Sequence, residues 1–283
     1  MNRLVLGTVQ LGLPYGRRRA SPVMTKPDAF RILDAAWEMG VRAFDTAESY
    51  GVSSSRLRTW IDERDHCGGL EVVTKCAVGE ERAQAALSRF EGTGNVVLLS
   101  HGFADTDEWS TVFAVAQRNG AGAGQSVYGA DEVRRACALA GVDRVQAPAN
   151  VLDSRALTSR GNAPVALDIR SVYLQGVLLD SPDHADIRAP GAGRVVRRLQ
   201  TAAAEVGSDL APLLIASVLQ TMRVGDRVVI GVDEASQLDV LPIALDIPAS
   251  TVSEFRAAIL DVASDQAMEL ILDPRQWPVE GAA

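Results

Sequence analysis

Cysteine is scarce in this chain and badly placed for cross-linking. Cys67, Cys76 and Cys137 are the three present. An odd number with no C-x-x-C or Cys/His ligand spacing supports neither a disulfide framework nor a structural zinc site. A reducing cytoplasm fits that usage. Basic charge is also short, with 28 Lys and Arg against 36 Asp and Glu, a formal charge of −8 and a pI near 5.0. Neutralising phosphates takes a clustered cationic surface, so no nucleic-acid partner is expected. The densest basic stretch, residues 194–198, follows helical spacing and reads as a solvated helix face. Long apolar runs are missing as well. None approaches the roughly 20 residues that span a bilayer, so no membrane partner is expected. The mildly apolar residues 1–13 are interrupted by Gln10 and lack a small-residue cleavage site, unlike a signal peptide.

What is present is enough to build a core. The 283 residues, 47% hydrophobic and 23% charged, match the roughly 250 residues of one closed α/β barrel, and a single domain over residues 1–283 is expected. Eight short runs rich in β-branched residues and Leu are expected as strands, at residues 3–7, 42–45, 71–75, 96–100, 123–127, 144–148, 166–172 and 228–231. Strands this short and apolar suit a parallel sheet covered on both faces. Helical periodicity fills the gaps. Ala29, Ile32, Leu33, Ala36 and Trp37 share one face, after Pro27 and before Gly40. Similar faces run through Ala83 to Phe90, Trp109 to Ala116 and Val133 to Ala140, with further helices expected around residues 194–206, 211–222 and 251–263. Residues 181–193, rich in Pro, Gly and Asp, are expected to be a surface loop. Strict alternation leaves a closed barrel or an open doubly wound sheet. The open dinucleotide-binding sheet should carry G-x-G-x-x-G between a strand and a helix, and the glycines here (Gly120, Gly122, Gly124) precede a strand and read as helix exit and turn.

Three successive apolar runs end in an ionisable residue: Val41-Arg-Ala-Phe-Asp45, Val72-Val-Thr-Lys75 and Val96-Val-Leu-Leu-Ser-His101. In a barrel these would share the C-terminal rim, where barrel enzymes do chemistry, and Tyr50 follows Asp45 closely enough to lean over it. Tyrosine titrates near pH 10 unless a cation favours its phenolate. Lys75 is the candidate cation, Asp45 its partner, and neutral His101 a hydrogen-bonding group for a substrate oxygen. Each also has a plain structural role open to it: Asp45 as a cap, Asp45 and Lys75 as an ion pair, His101 as a rim histidine, Tyr50 as a packed aromatic.

The segment Asp45-Thr-Ala-Glu-Ser-Tyr50-Gly51 resembles the hallmark of the aldo-keto reductase family. The resemblance continues through Leu6-Gly-Thr-Val-Gln-Leu-Gly12, Val73-Thr-Lys75, His101, Gln125-Ser-Val-Tyr128, Val145-Gln-Ala-Pro-Ala-Asn150 and Arg170-Ser-Val-Tyr-Leu-Gln-Gly176. It implies an α/β fold, the (β/α)8 TIM barrel, and hydride transfer between a nicotinamide cofactor, NADP(H) or NAD(H), and a small-molecule carbonyl or alcohol. By that resemblance Tyr50 is the general acid, Lys75 lowers its pKa, Asp45 supports Lys75 and His101 orients the carbonyl. Ser126 and Gln146 would bind the nicotinamide carboxamide. Arg170 would stand where many members stack a tyrosine on the ring.

The loop after the eighth strand would hold the pyrophosphate and adenosine end. Gly231-Val-Asp-Glu-Ala-Ser-Gln237 departs from the family there: Glu234 and Gln237 occupy places where a Lys and an Arg often hold the 2′-phosphate, and Leu241 one where an Asn often meets adenine. An acid beside a phosphate is repulsive, so either Arg194, Arg197 or Arg227 substitutes or NADH is accepted. Tyr15, Trp109, Tyr173 and Trp277 are candidate pocket walls. A cofactor-binding or regulatory protein with little turnover is the competing reading. A redox-neutral lyase or isomerase using Lys75 as a Schiff base is a third, which Asp45 opposes by keeping the amine protonated. A serine hydrolase lacks its G-x-S-x-G elbow.

Overall fold

The structure is a computed structural model that describes residues 1–18, 21–263 and 268–278. Eight parallel strands close into a barrel in the order β1 to β8: β1 (Leu4–Gly7), β2 (Ala43–Asp45), β3 (Glu71–Cys76), β4 (Asn95–His101), β5 (Gly122–Ser126), β6 (Arg144–Pro148), β7 (Ala166–Arg170) and β8 (Arg227–Gly231). All eight expected strands are present, within one or two residues at each end. Of the two architectures left open, the chain adopts the closed (β/α)8 barrel.

The chain partitions into two compact units. The first comprises Met1–Pro148, Arg155–Arg170 and Arg223–Leu238. It holds every strand together with α1 (Lys26–Glu38), α2 (Ser53–Glu63), α3 (Glu80–Ser88), α4 (Thr106–Arg118), α5 (Ala130–Cys137) and α6 (Arg155–Ser159). The second comprises Ala149–Ser154, Ser171–Met222 and Asp239–Ala283, with α7 (Pro182–Arg188), α8 (Ala192–Glu205), α9 (Leu210–Leu219), α10 (Val240–Asp246) and α11 (Ala249–Ala258) among its helices.

Local chemistry explains the elements. At α1 the Thr25 hydroxyl accepts the Asp28 N–H, Pro27 sits in the first turn, and Ala29, Ile32, Leu33 and Ala36 are buried along one face. A capping box of Asp105 and Glu108 starts α4. The loop expected over residues 181–193 is instead largely helical. Ser181 accepts the His184 N–H and Pro182 takes the first helical position of α7, because a Ser-Pro-Asp run serves a helix start as well as a turn. The glycine cluster also needs correcting. Gly120 is the left-handed helix exit, but Gly122 and Gly124 lie inside β5. A Cβ on Gly124 would fall 1.9 Å from the Arg144 carbonyl oxygen and 2.8 Å from Leu99, so the close approach of β6 fixes glycine there.

One contact sets the inward face of the barrel. Gln146 on β6 bonds Asp45 on β2, and these strands are not neighbours in the sheet, so both side chains point into the lumen. Strand side chains alternate, and residues two apart therefore share that face. The lumen reads as layers: Glu71, Arg144, Asp168 and Arg227 at the N-terminal end; Val5, Ala43, Val73, Val97, Leu99 and Val229 in the middle; and Asp45, Lys75, Gln146, Arg170 and His101 at the C-terminal end. In the lower layer Asp168 accepts from Arg144 Nη1 at 2.7 Å and from Arg227 Nε and Nη2 at 2.9 Å, while Arg227 also bonds Glu71. The apolar middle layer seals one polar end from the other.

Candidate active site

Asp45 and Lys75 form an ion pair with both side chains almost wholly buried. Burying two charges costs several kcal/mol per ion unless further hydrogen bonds complete the pair. Gln146 supplies one, its Nε2 donating to Asp45 Oδ1 at 2.7 Å, the oxygen that also accepts from Lys75. Ser126 in turn donates to Gln146 Oε1 at 3.3 Å. The two residues assigned by resemblance to the cofactor are thus joined to the Asp45–Lys75 pair, a link across 101 residues that no local pattern announces.

Tyr50 stands on a loop tied down from below. Thr8 Oγ1 donates to the Asp45 carbonyl at 2.8 Å, Ser53 Oγ to the Thr8 carbonyl at 2.8 Å, and Ser54 Oγ to the Ala47 carbonyl at 2.9 Å. Buried bonds of this kind contribute about 1 kcal/mol each. Gly12 and Gly51 let the β1 loop lie against this turn: a Cβ on Gly12 would come within 2.1 Å of the Tyr50 carbonyl, and one on Gly51, whose φ is +57°, within 2.4 Å of the Gly12 carbonyl. The Tyr50 ring is thereby held with Lys75 Nζ 5.0 Å from its centroid. It meets the His101 ring edge-on at 5.9 Å. His101 Nδ1 is 3.2 Å from the Ser49 hydroxyl, a contact that sequence spacing gave no reason to expect. Arg170 donates to the Val127 carbonyl at 3.0 Å and lies over the Tyr128 ring at 4.2 Å.

Burial governs the electrostatics of this layer. It pushes the Tyr50 phenol well above its ordinary value, with the Asp45 charge adding to the rise and Arg170 opposing it. Lys75, next to the same ring, is itself paired with Asp45. Burial likewise pulls the Lys75 ammonium down, against the attraction of Asp45. His101, exposed at the end of β4, is brought down to about 4 by desolvation against its neighbours and then by the Lys75 charge. At neutral pH the layer holds a protonated phenol beside a neutral imidazole.

The Aldo/keto reductase family model matches residues 3–95, a stretch that includes Asp45, Tyr50 and Lys75 and ends before His101. Solved structures share the fold over most of the chain. The glycerol dehydrogenase of Gluconobacter oxydans has a TM-score of 0.71 at 16% identity over 99% of this chain and 94% of that one. An aldo-keto reductase of Bacillus halodurans in its holo form has 0.70 at 16%, over 90% and 91%, and the silkworm Bombyx mori enzyme 0.66 at 17%, over 90% and 83%. No curated protein matches. The chain shares its fold with these proteins, and its first third matches the family model.

Other residues stand at varying distance from their expected places. Gly231 ends β8, paired in register with Gly7, and the Gln10 amide lies over it, 2.4 Å from where a Cβ would be. Gln10 Oε1 is buried with no hydrogen-bond partner. Gln237 accepts the Asp233 N–H through its amide oxygen at 2.8 Å, and both Gln237 and Glu234 are exposed. Arg227 cannot stand in as the phosphate-binding base. It opens β8, four residues before Gly231 and so about 13 Å away along the strand, and is bound to Asp168 and Glu71. Arg194 and Arg197 lie on α8. Trp109 is not a pocket wall: it is buried, stacks on Phe113 and donates to the Ala140 carbonyl at 2.9 Å. Tyr173 donates to the Ala211 carbonyl at 3.1 Å and Trp277 to the Ile271 carbonyl at 3.1 Å, each within the second unit.

A second cleft, of about 390 Å³, opens at the N-terminal end of the strands, lined by Arg42, Glu71, Asn95 and Arg227 among others. Its acid is satisfied internally, Glu71 bonding both Arg227 and Asn95. The C-terminal rim, with an orphaned acceptor, a neutral imidazole and a perturbed phenol, is the better candidate. Among the described residues no group of three or more His, Cys, Asp or Glu is placed to hold a metal ion.

Proposed function

We propose that this chain is an NAD(P)H-dependent carbonyl oxidoreductase, one functional domain over residues 1–283, that reduces a small aldehyde, ketone or sugar-like carbonyl. The observation that carries the reading is the meeting of Tyr50, His101 and the Asp45–Lys75 pair on one rim. The donor set fits a nicotinamide cofactor: the Ser126 hydroxyl, the Gln146 amide and the unsatisfied Gln10 oxygen offer a carboxamide both kinds of hydrogen-bond partner. When bound, that group supplies a hydride.

The chain's own residues handle the oxygen and its proton. His101, neutral because desolvation holds its pKa near 4, donates a hydrogen bond to the carbonyl oxygen and positions it. Tyr50 gives its proton to the oxygen as negative charge develops there, which a phenol does readily because an alkoxide is far more basic. The raised Tyr50 pKa keeps the phenol protonated across the neutral range, which favours reduction over alcohol oxidation. Asp45 and Gln146 hold Lys75 beneath the ring. At the adenosine end, Glu234 and a loop sequence of residues 232–239 that carries no Lys or Arg favour NADH over NADPH.

The test is a fluorescence titration with NADH and with NADPH, followed by turnover of an aldehyde panel read by nicotinamide absorbance. Binding with turnover is expected. Nucleotide binding without turnover on any carbonyl would support the regulatory alternative, and failure to bind either nucleotide would overturn the proposal.

A further inference from the structure

His101 has two ring nitrogens, and only a neutral ring faces a choice between them. The ring is neutral here, so which nitrogen carries the proton decides whether the histidine donates to a carbonyl oxygen or repels it. We propose that Ser49 is a positioning residue that fixes the His101 tautomer, its hydroxyl donating to Nδ1 so that the proton stays on Nε2. The proposal rests on the carbonyl-reduction reading for its consequence and on the 3.2 Å contact between Ser49 Oγ and His101 Nδ1 for its substance.

The argument turns on partner chemistry. A carbonyl or carboxylate at Nδ1 accepts only; it would hold the proton on Nδ1 and leave Nε2 a bare lone pair. A hydroxyl can donate, and is therefore a partner that permits Nε2–H. Ser49 Oγ makes no other hydrogen bond among the described residues, so its proton is available to the ring. The placement is also constrained. Ser49 immediately precedes Tyr50, whose ring meets the His101 edge at 83°, so two consecutive residues of one pinned loop grip the imidazole, one by its nitrogen and one by its edge. With Nδ1 occupied, Nε2 is the nitrogen left for a substrate.

The groups that act on this ring are Lys75 on β3, Asp45 on β2, Arg170 on β7 and Glu48 on the Tyr50 loop. None is hydrogen-bonded to either His101 nitrogen among the described residues. The field of these charges sets whether the ring is protonated, and Ser49 sets where the remaining proton sits.

The experiment is long-range nitrogen–proton correlation spectroscopy on histidine-labelled protein at pH 7. The chain has three histidines, so a His101→Asn variant assigns the signal. The expected result is an Nε2–H tautomer in the unaltered protein and its retention in Ser49→Thr. Ser49→Ala, with water at Nδ1, should give a mixture. Ser49→Asp should give Nδ1–H or the imidazolium. Where reductase turnover is measured, Ser49→Asp should lower kcat about tenfold, the loss of one orienting hydrogen bond of ~1.4 kcal/mol, with less effect on KM and recovery in Ser49→Thr. An Nδ1–H tautomer in the unaltered protein, or a tautomer indifferent to Ser49→Asp, overturns the proposal. The spectra decide this whether or not a carbonyl substrate turns over, so failure of the reductase reading is seen separately.

Discussion

Removing one half of the Asp45–Lys75 pair should be far more damaging than removing both. In Lys75→Met the Asp45 carboxylate stays buried, 3% exposed, and still accepts from the Gln146 N–H. Breaking a buried pair in this way costs about 3–5 kcal/mol. Asp45→Leu strands a fully buried ammonium and belongs in the same range. Against a total stability of about 5–15 kcal/mol, either variant approaches the threshold of folding. In Asp45→Leu with Lys75→Met no charge is stranded. The residual loss is the orphaned Gln146 N–H, about 1–3 kcal/mol, partly offset by new apolar packing above the middle layer.

The sum of the single losses, about 6–10 kcal/mol, should therefore exceed the loss in the double variant by several kcal/mol. Denaturant unfolding of the four proteins, followed by circular dichroism, measures this directly. Contacting residues show coupling, whereas independent sites add to within about 0.5 kcal/mol. Additivity here would refute the claim that the two charges depend on each other. The double variant should also be folded and inactive, because stability can be restored by removing the pair while the setting of Tyr50 cannot.

Three further outcomes are expected at the rim and the loop after β8. Tyr50→Phe should lower turnover by about 10²–10⁴-fold, the usual contribution of a positioned acid, with nucleotide affinity nearly unchanged by fluorescence titration; undiminished turnover would remove Tyr50 from the proton step. Glu234→Lys should raise affinity for NADPH relative to NADH by replacing repulsion with attraction, and an unchanged ratio in the same titration would show that this residue faces away from the phosphate. His101 titrates near 6.5 in the unfolded chain and near 4 when folded, so the unfolded state binds more protons between those values. Its contribution to stability is complete above about 6.5 and is lost as pH falls toward 4. Urea midpoints at pH 7 and pH 5 should therefore differ more for the unaltered protein than for His101→Asn, and equal differences would contradict the assignment.

Strands β1, β3, β4 and β8 are legible because each carries a short, doubly buried run of Val, Leu or Ile, whereas β2, β5, β6 and β7 have weaker apolar runs and stand out by their place between helical segments. The strand ends are less legible. β7 stops at Arg170 rather than continuing to Val172 because Ser171 takes a positive φ of 65°, a conformation that composition does not encode. Helix α2 was missed although it buries Leu57, Trp60 and Ile61, since its opening run of serines reads equally as loop. In the same way the Pro and Asp of residues 181–193 signalled a turn where they start α7.

The candidate site divides along a similar line. Asp45, Lys75 and His101 could be placed on one rim because closing a parallel barrel makes consecutive strands neighbours, and chain order alone then brings their ends together. Gln146 comes from the far side of the lumen. Its bond to Asp45 depends on side-chain reach across the barrel, which neither spacing nor periodicity records. The inward parity of a strand carries more information than its boundaries do: Gln146 faces Asp45, the β6–β7 and β7–β8 registers carry that inward face to Asp168 and Arg227, which are bonded to each other below, and a step of two along β7 and two steps along β8 bring Arg170 and Gly231 to the C-terminal end. Arg227 thereby leaves the list of phosphate-binding candidates without reference to any ligand. Arg170 stands at the C-terminal end as a cation whose field opposes the rise of the Tyr50 phenol, while burial weakens the hold of Lys75 on its proton. On the proposed carbonyl-reduction reading, the positive charge near the Tyr50 oxygen is set by β7 as much as by β3.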